Sequence, residues 1–281
     1  MTVIEAIKVR SSCRTYSNKP IEPHQFAVLY NFLEANKEAP FGSKVRFRLL
    51  DLNELESGEL KNLGTYGVIK GARHFVVGAI VKAPWAMEDY GYCMEKNILE
   101  ATALGLGTCL LGGTFKRSGF AGKINTTKDE LLPVISPVGY SSGKRSILDR
   151  TFRLVAGSNK RKPWPELFYV QDTDTPLNEG NAGKYNIPLE CVRIAPSASN
   201  KQPWRIVKDR ERDNFHFYLR RTPGYEKYFK DIKLQNVDMG IAMCHFELSA
   251  KELGLNGKWH VKDPCLKSPG LEYIASWVAH A

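Results

Sequence analysis

Apolar residues recur along this chain at helical and strand spacings, and the switches between the two mark its elements. Thr2 ahead of Ile4, Ile7 and Val9 predicts a short capped helix over residues 2–9. Phe26, Leu29, Leu33 and Ala35 predict a second helix over 23–37. Residues 45–52 and 73–81 read as strands, the second so apolar, from Phe75 to Val81, that a central position is expected. A long helix over 89–106 is closed by Gly105 and Gly107. Residues 108–113 read as a loop and 132–138 as another strand. Later, Leu189, Val192 and Ile194 predict a helix over 185–193, and Trp204-Arg205-Ile206-Val207 opens a strand.

The pattern then repeats. Asp89, Gly91, Met94, Leu99, Ala101, Leu104, Gly105 and Leu106 match Asp238, Gly240, Met243, Leu248, Ala250, Leu253, Gly254 and Leu255, always 149 positions on (238 − 89 = 149). Eight of the twenty positions from Asp89 to Thr108 are therefore identical in one register. Both stretches carry apolar residues on one helical face and end at a glycine. Glu38-Ala39-Pro40-Phe41-Gly42-Ser43 likewise echoes Ile194-Ala195-Pro196-Ser197-Ala198-Ser199, each before a strand. A tandem duplication of one α+β unit is expected, with halves 1–163 and 164–281 and a linker near 161–167. Such a fusion is the covalent equivalent of a two-fold dimer, whose ligand sites lie where the halves meet. The first half lacks a counterpart to Asn200-Lys201-Gln202-Pro203-Trp204, and the second lacks one to Arg10-Ser11-Ser12-Cys13-Arg14. One composite site is expected to survive of the original two.

Composition adds limits to this picture. A chain of 281 residues that is 43% hydrophobic and 25% charged can bury a substantial core. Its longest apolar run is too short to span a bilayer, and the acid-bearing N-terminal helix does not read as a secretory signal. No membrane association and a cytoplasmic setting are expected. Six scattered cysteines form no C-x-x-C pair and no zinc spacing, so reduced thiols and no metal are expected. The net charge of +10 raises a nucleic-acid reading, but the densest basic run is only Lys160-Arg161-Lys162 and no recognition motif accompanies it. A basic surface with some charge aimed at anionic ligands fits better.

The candidate chemistry lies in two polar segments. Pro196-Ser197-Ala198-Ser199-Asn200 joins a helix to a strand and offers short polar side chains and free amides at a fixed turn. Arg10–Arg14 supplies cations at the other end of the chain. With Gln202-Pro203-Trp204, Leu104-Gly105-Leu106-Gly107 and Gly112-Gly113, these strings resemble the nitroreductase-like flavoproteins, here a single-chain tandem branch acting as a pseudo-dimer. The resemblance spans nearly the whole chain, split between its halves.

That resemblance implies FMN at the interface of the halves. Arg10 and Ser12, with Ser11 beside them, would face the phosphate and ribityl chain, and Arg14 the N1–C2=O edge. Leu110, Leu111, Gly112 and Gly113 would line the ring face and its N5 edge. Arg161 (or Lys160) would complete the phosphate pocket, while Pro196, Ser197, Ala198 and Asn200 would border the dimethylbenzene and ribityl side. The implied activity is ping-pong hydride transfer from NAD(P)H through the flavin to a nitroaromatic or quinone-like acceptor, in a monomer. No Gly-x-Gly-x-x-Gly opens a helix after a strand, so no separate nicotinamide domain is expected. No acid/base dyad is evident either. His245, Cys109 and Trp204 read as structural residues.

Three alternatives stay open at the level of sequence. One is a flavoenzyme of the same fold catalysing dehalogenation, flavin destruction or dehydrogenation of a peptide ring. Another is a flavin-binding carrier or sensor without turnover. The third is a nucleic-acid binder with a vestigial pocket.

Overall fold

A computed structural model describes residues 1–54, 63–65, 67–143, 160–225 and 231–280. The chain opens with α1 (Val3–Val9), where Thr2 and Glu5 form the reciprocal cap that the sequence pattern predicts. Next come α2 (Pro23–Ala35), β1 (Val45–Asp51) and β2 (His74–Val81). The long helix α3 (Ala86–Ala103) begins one turn earlier than expected. β3 (Gly107–Thr108) turns part of the expected loop into strand, and α4 (Arg117–Lys123) follows. The strand expected over 132–138 is split into β4 (Glu130–Leu131) and β5 (Ile135–Gly139). Pro133, which cannot donate to a ladder, lies between the two pieces.

The second half holds α5 (Trp164–Leu167), β6 (Phe168–Val170), α6 (Asn186–Arg193), β7 (Trp204–Lys208) and β8 (Phe215–Leu219). The helix α7 (Leu234–Glu252) and strands β9 (Gly257–His260) and β10 (Glu272–Ala279) complete it. The segment expected as a linker is thus ordered, and α5 leads directly into β6.

Two sheets of the same plan result. The first runs β1-β2-β5-β3 and is antiparallel; the second runs β7-β8-β10-β9, with β6 added in parallel beside β7. Strand order is therefore the same in both, as a duplication requires. The fold is α+β with antiparallel and mixed sheets.

α3 and α7 pack against one another and carry the centre of the molecule. Both are buried almost all round, as helices between two layers must be. Their crossing is reciprocal. A methyl on Gly91 would overlap the Val237 carbonyl, and one on Gly240 would overlap the Glu88 carbonyl. Residues 91 and 240 correspond across the repeat, as do 88 and 237 (88 + 149 = 237). One contact is thus made twice about a pseudo-two-fold axis, the signature of an isologous interface. Asn236 Nδ2 donates to Glu88 Oε1 across the same seam at 2.6 Å. Gly105 and Gly254, also 149 apart, both adopt positive φ (77° and 75°) just past their helices.

The core runs continuously through both halves. Trp204, expected as a core residue, is fully buried. No helix among the described residues is long and apolar enough to cross a membrane.

Candidate functional site

Where the halves meet, a cavity of about 480 Å³ is lined by Arg10, Ser11, Ser12, Arg14, Leu110, Leu111, Gly112, Gly113, Arg161, Pro196, Ser197, Ala198 and Asn200. All thirteen residues singled out in the sequence therefore lie around one space. Its volume is within the usual ~300–1,000 Å³ of small-molecule sites.

The segment after α1 is held by the first sheet. Cys13 N donates to Thr108 O (2.8 Å), Lys70 N donates to Arg14 O (2.9 Å), and the Tyr16 hydroxyl donates to Cys13 O (2.8 Å). Close approach depends on Gly107, because a methyl there would meet Cys13 Cβ at 2.8 Å. Arg10 is thus delivered to the interface with its side chain only 8% exposed. Its Nε has no hydrogen-bond partner among the described residues and lies 4.0 Å from Glu95 Oε1. Glu95 in turn meets His245 Nε2 at 2.8 Å, and His245 Nδ1 meets Cys191 O at 2.8 Å. Cys191 O can only accept, so Nδ1 carries a proton. His245 is structural, as expected, and its network joins the second half to Arg10.

The 110–113 loop pairs with β5 through mutual Leu111–Ile135 hydrogen bonds. Arg117 pins its far side, donating from Nη2 to Gly112 O (2.7 Å) and Pro133 O (3.0 Å) and from Nε to Leu132 O (2.8 Å). In a trans peptide the N–H opposes the C=O, so Gly113 N–H is aimed away from Arg117.

The second half contributes a strained loop. Ser199 (φ 49°), Asn200 (φ 52°) and Gln202 (φ 48°) are all left-handed without being glycine, a local cost that surrounding bonds must hold. Ser197 Oγ accepts from Gln202 N (2.9 Å), Gln202 Oε1 accepts from Lys162 N (2.8 Å), and Asn200 Nδ2 donates to Lys160 O (2.8 Å). Asn200 Oδ1 also accepts from Arg161 Nη1, whose Nη2 donates to Ile194 O (3.0 Å). Among the residues singled out, Asn200 thus works on Arg161, and Arg161 rather than the exposed Lys160 lines the cavity. Burial, then the nearby charges of Arg10 and Arg193, hold the Arg161 guanidinium down at about 10. Two cations crowd one end of the cavity, and an anion there would offset the cost of each.

Several wall residues escape sequence reasoning: Val68, Ile98, Thr108, Thr114, Val134, Tyr225 and four on α7. Leu234, Val237, Asp238 and Ile241 follow the helical spacing i, i+3, i+4, i+7, which is the signal that places them on one face. Asp238 accepts from Ala198 N at 2.9 Å. Its repeat partner Asp89 accepts from both Phe41 N and Ser43 N, each at 2.9 Å. Both acids therefore brace the Ala-Pro loop of their own half. Cys109 also lines the cavity, buried, with its thiol pushed up by that burial. No group of three or more His, Cys, Asp or Glu side chains among the described residues could hold a metal ion.

No curated protein matches this chain. Among solved structures, a "putative nitroreductase" from Thermotoga maritima is similar over 99% of this chain and 94% of its own, at 18% identity and a TM-score of 0.63. An "FMN-dependent Nitroreductase" from Clostridium difficile is similar over 51% of this chain and 90% of its own, at 21% identity and a TM-score of 0.41. A "Nitroreductase with Bound FMN" from Bacteroides fragilis covers 52% of this chain and 91% of its own, at 19% identity and a TM-score of 0.39. The family model described as "Putative TM nitroreductase" matches residues 2–250. The chain belongs to that nitroreductase family, and its general chemistry is that of an oxidoreductase.

Proposed function

We propose that this protein is an FMN-dependent oxidoreductase that passes reducing equivalents from NAD(P)H to a small planar acceptor of the nitroaromatic or quinone type. The observation that carries the reading is convergence. Loops near residues 10, 112, 161 and 198, far apart in sequence and drawn from both halves, line one cavity. The family and the FMN-dependent relative point the same way.

The residues present fit the cofactor. Arg10 and Arg161 crowd one end of the cavity, and the buried Arg10 Nε has no hydrogen-bond partner among the described residues. A phosphate suits that deficit, at roughly 1.5–3 kcal/mol per charge-assisted bond. Ser12 would serve the ribityl hydroxyls, and Pro196, Ser197 and Ala198 would flank the ring from the second half. Arg14 would place positive charge against the ring edge that gains electrons, and Gly113 N–H would meet the opposite edge. When bound, FMN supplies a two-electron carrier that takes hydride from one substrate and delivers it to another. The chain's part is to bind, orient and shield that ring while leaving one face open to each substrate in turn. We assign one FMN per chain, with the two halves, 1–163 and 164–281, acting as a pseudo-dimer within a monomer.

Anaerobic addition of NADH or NADPH to the protein carrying FMN tests this function. Bleaching of the flavin, reversed by a quinone, is the expected result. A bound flavin that neither nucleotide reduces would leave a carrier or sensor as the better reading. A colourless protein retained on DNA in a salt-sensitive manner would instead favour the nucleic-acid alternative.

A further inference from the structure

One wall of the cavity is built by the second half alone, from the loop at Ser197–Asn200, Tyr225 and the first turns of α7. On that face of α7, Leu234, Val237 and Ile241 are apolar and Asp238 is the single acid. Asp238 is 3% exposed. Its Oδ1 accepts from Ala198 N, while its Oδ2 has no hydrogen-bond partner among the described residues. The duplication provides an internal control. Asp89, in the same place in the first half, satisfies both oxygens with amides of its own loop. An acid needed only to brace the loop would be expected to do the same. The second loop instead turns left-handed at Ser199 and Asn200, and Asp238 keeps one amide. Tyr225 completes the wall, with its hydroxyl 3.1 Å from Ser199 Oγ and under the influence of the Asp238 charge.

We propose that Asp238 is the proton donor for the acceptor, its carboxylate regaining a proton from solvent. The proposal rests on the oxidoreductase reading above. Reducing a quinone to a hydroquinone takes one hydride, whose two electrons derive from NAD(P)H, and one further proton. Hydride adds to one carbonyl oxygen and the Asp238 proton to the other. The carboxyl O–H bond breaks, and the carboxylate left behind regains its proton from water. NAD(P)H is oxidised to NAD(P)⁺, and the charges balance.

The surroundings keep that proton in place. Burial pushes the Asp238 carboxyl up to about 8, against the single opposing hydrogen bond from Ala198 N. From the preceding loop, Tyr225 faces it, while Arg221 is turned to Asn236 and Glu272. From α3, Glu88 is turned to Asn236. A donor must be protonated to act, so the acceptor step slows as pH rises through about 8.

Asp238→Asn is the test, because the amide oxygen can still accept from Ala198 N. We expect re-oxidation by p-benzoquinone to be slowed about 10²-fold relative to bleaching by NADH, with the fall near pH 8 abolished. Infrared spectra provide a readout apart from turnover. A protonated carboxyl band should be present at neutral pH, titrate away near pH 8, and be missing from D238N. Equal slowing of both half-reactions, unchanged re-oxidation, or absence of that band would each overturn the proposal. Should D238N fail to fold, the wild-type re-oxidation profile decides: a fall through pH 8 supports the donor, and a flat profile overturns it. Failure of NADH to bleach the flavin at all would instead count against the oxidoreductase reading, while leaving the infrared titration intact.

Discussion

At the scale of single residues, charge placement governs the site. Arg14 reaches the cavity because its backbone is tied to Lys70 and its neighbour Cys13 to Thr108. Arg14→Ala keeps those backbone bonds and removes only the cation. It should weaken FMN retention about tenfold or more, from a loss of roughly 1.5–3 kcal/mol, and lower the flavin midpoint potential. Fluorescence titration with FMN and a dye-equilibration potential measure the two effects. Unchanged retention and potential would remove Arg14 from the site. Arg10, Arg14 and Asn200 stand in polar strings that the sequence marks between apolar elements, but their place in a site, and that of Arg161 (or Lys160), followed only from the resemblance to the nitroreductase-like flavoproteins. Asn200's work was not legible there, since its amide clamps a guanidinium from a segment 39 positions earlier. Asp238 was readable as a repeat position but not as a cavity acid. Its distinction lies in an oxygen, Oδ2, that has no hydrogen-bond partner among the described residues.

At the scale of elements, the reciprocal glycine crossing joins the two halves, and the Arg46–Glu130 ion pair ties β1 to β4. Gly240→Ala gains up to about 1 kcal/mol of helix propensity. The added methyl, however, runs into the Glu88 backbone, which cannot rotate away. Overpacking of this kind costs typically about 1–3 kcal/mol and wins over the propensity gain. Urea denaturation should show a net loss of stability, with FMN retention falling too, because the crossing sets the wall of the cavity.

On β1, Arg46 donates to both oxygens of Glu130 (2.7 and 2.8 Å) and to Ile124 O (2.8 Å), tying the first sheet to the segment after α4. That pairing holds the Glu130 carboxyl at about 2, below its usual 4.5. A lowered carboxylate pKa contributes stability that is complete above pH 4.5 and lost as pH falls towards 2. Glu130→Gln should therefore lower Tm at pH 6 and flatten its decline between pH 4.5 and 2. Helix and strand positions were mostly readable from periodicity. The boundaries that moved did so for local reasons: Pro133 splits a strand, and Gly107–Thr108 pairs with β5 where a loop was expected.

At the scale of the whole molecule, the duplication is legible in the amino-acid sequence alone, because its register is unbroken over twenty positions. The identical strand order of the two sheets and the paired contacts of Gly91 and Gly240 are its three-dimensional expression. The sequence also showed what each half had lost, and hence that one composite site was to be expected. Only the fold shows how the loss is arranged. The first half supplies cations and the 110–113 loop, and the second supplies the strained loop and the α7 wall. Neither half encloses the cavity alone.

The visible absorption spectrum of the purified protein, with its flavin-to-chain ratio, tests the central claim most directly. The account predicts a yellow protein holding one FMN per chain, and Arg10→Ala and Ser197→Ala, in opposite halves, should each lower that ratio. A chain that folds, refuses FMN at saturating concentration and shows no change on either substitution would contradict it.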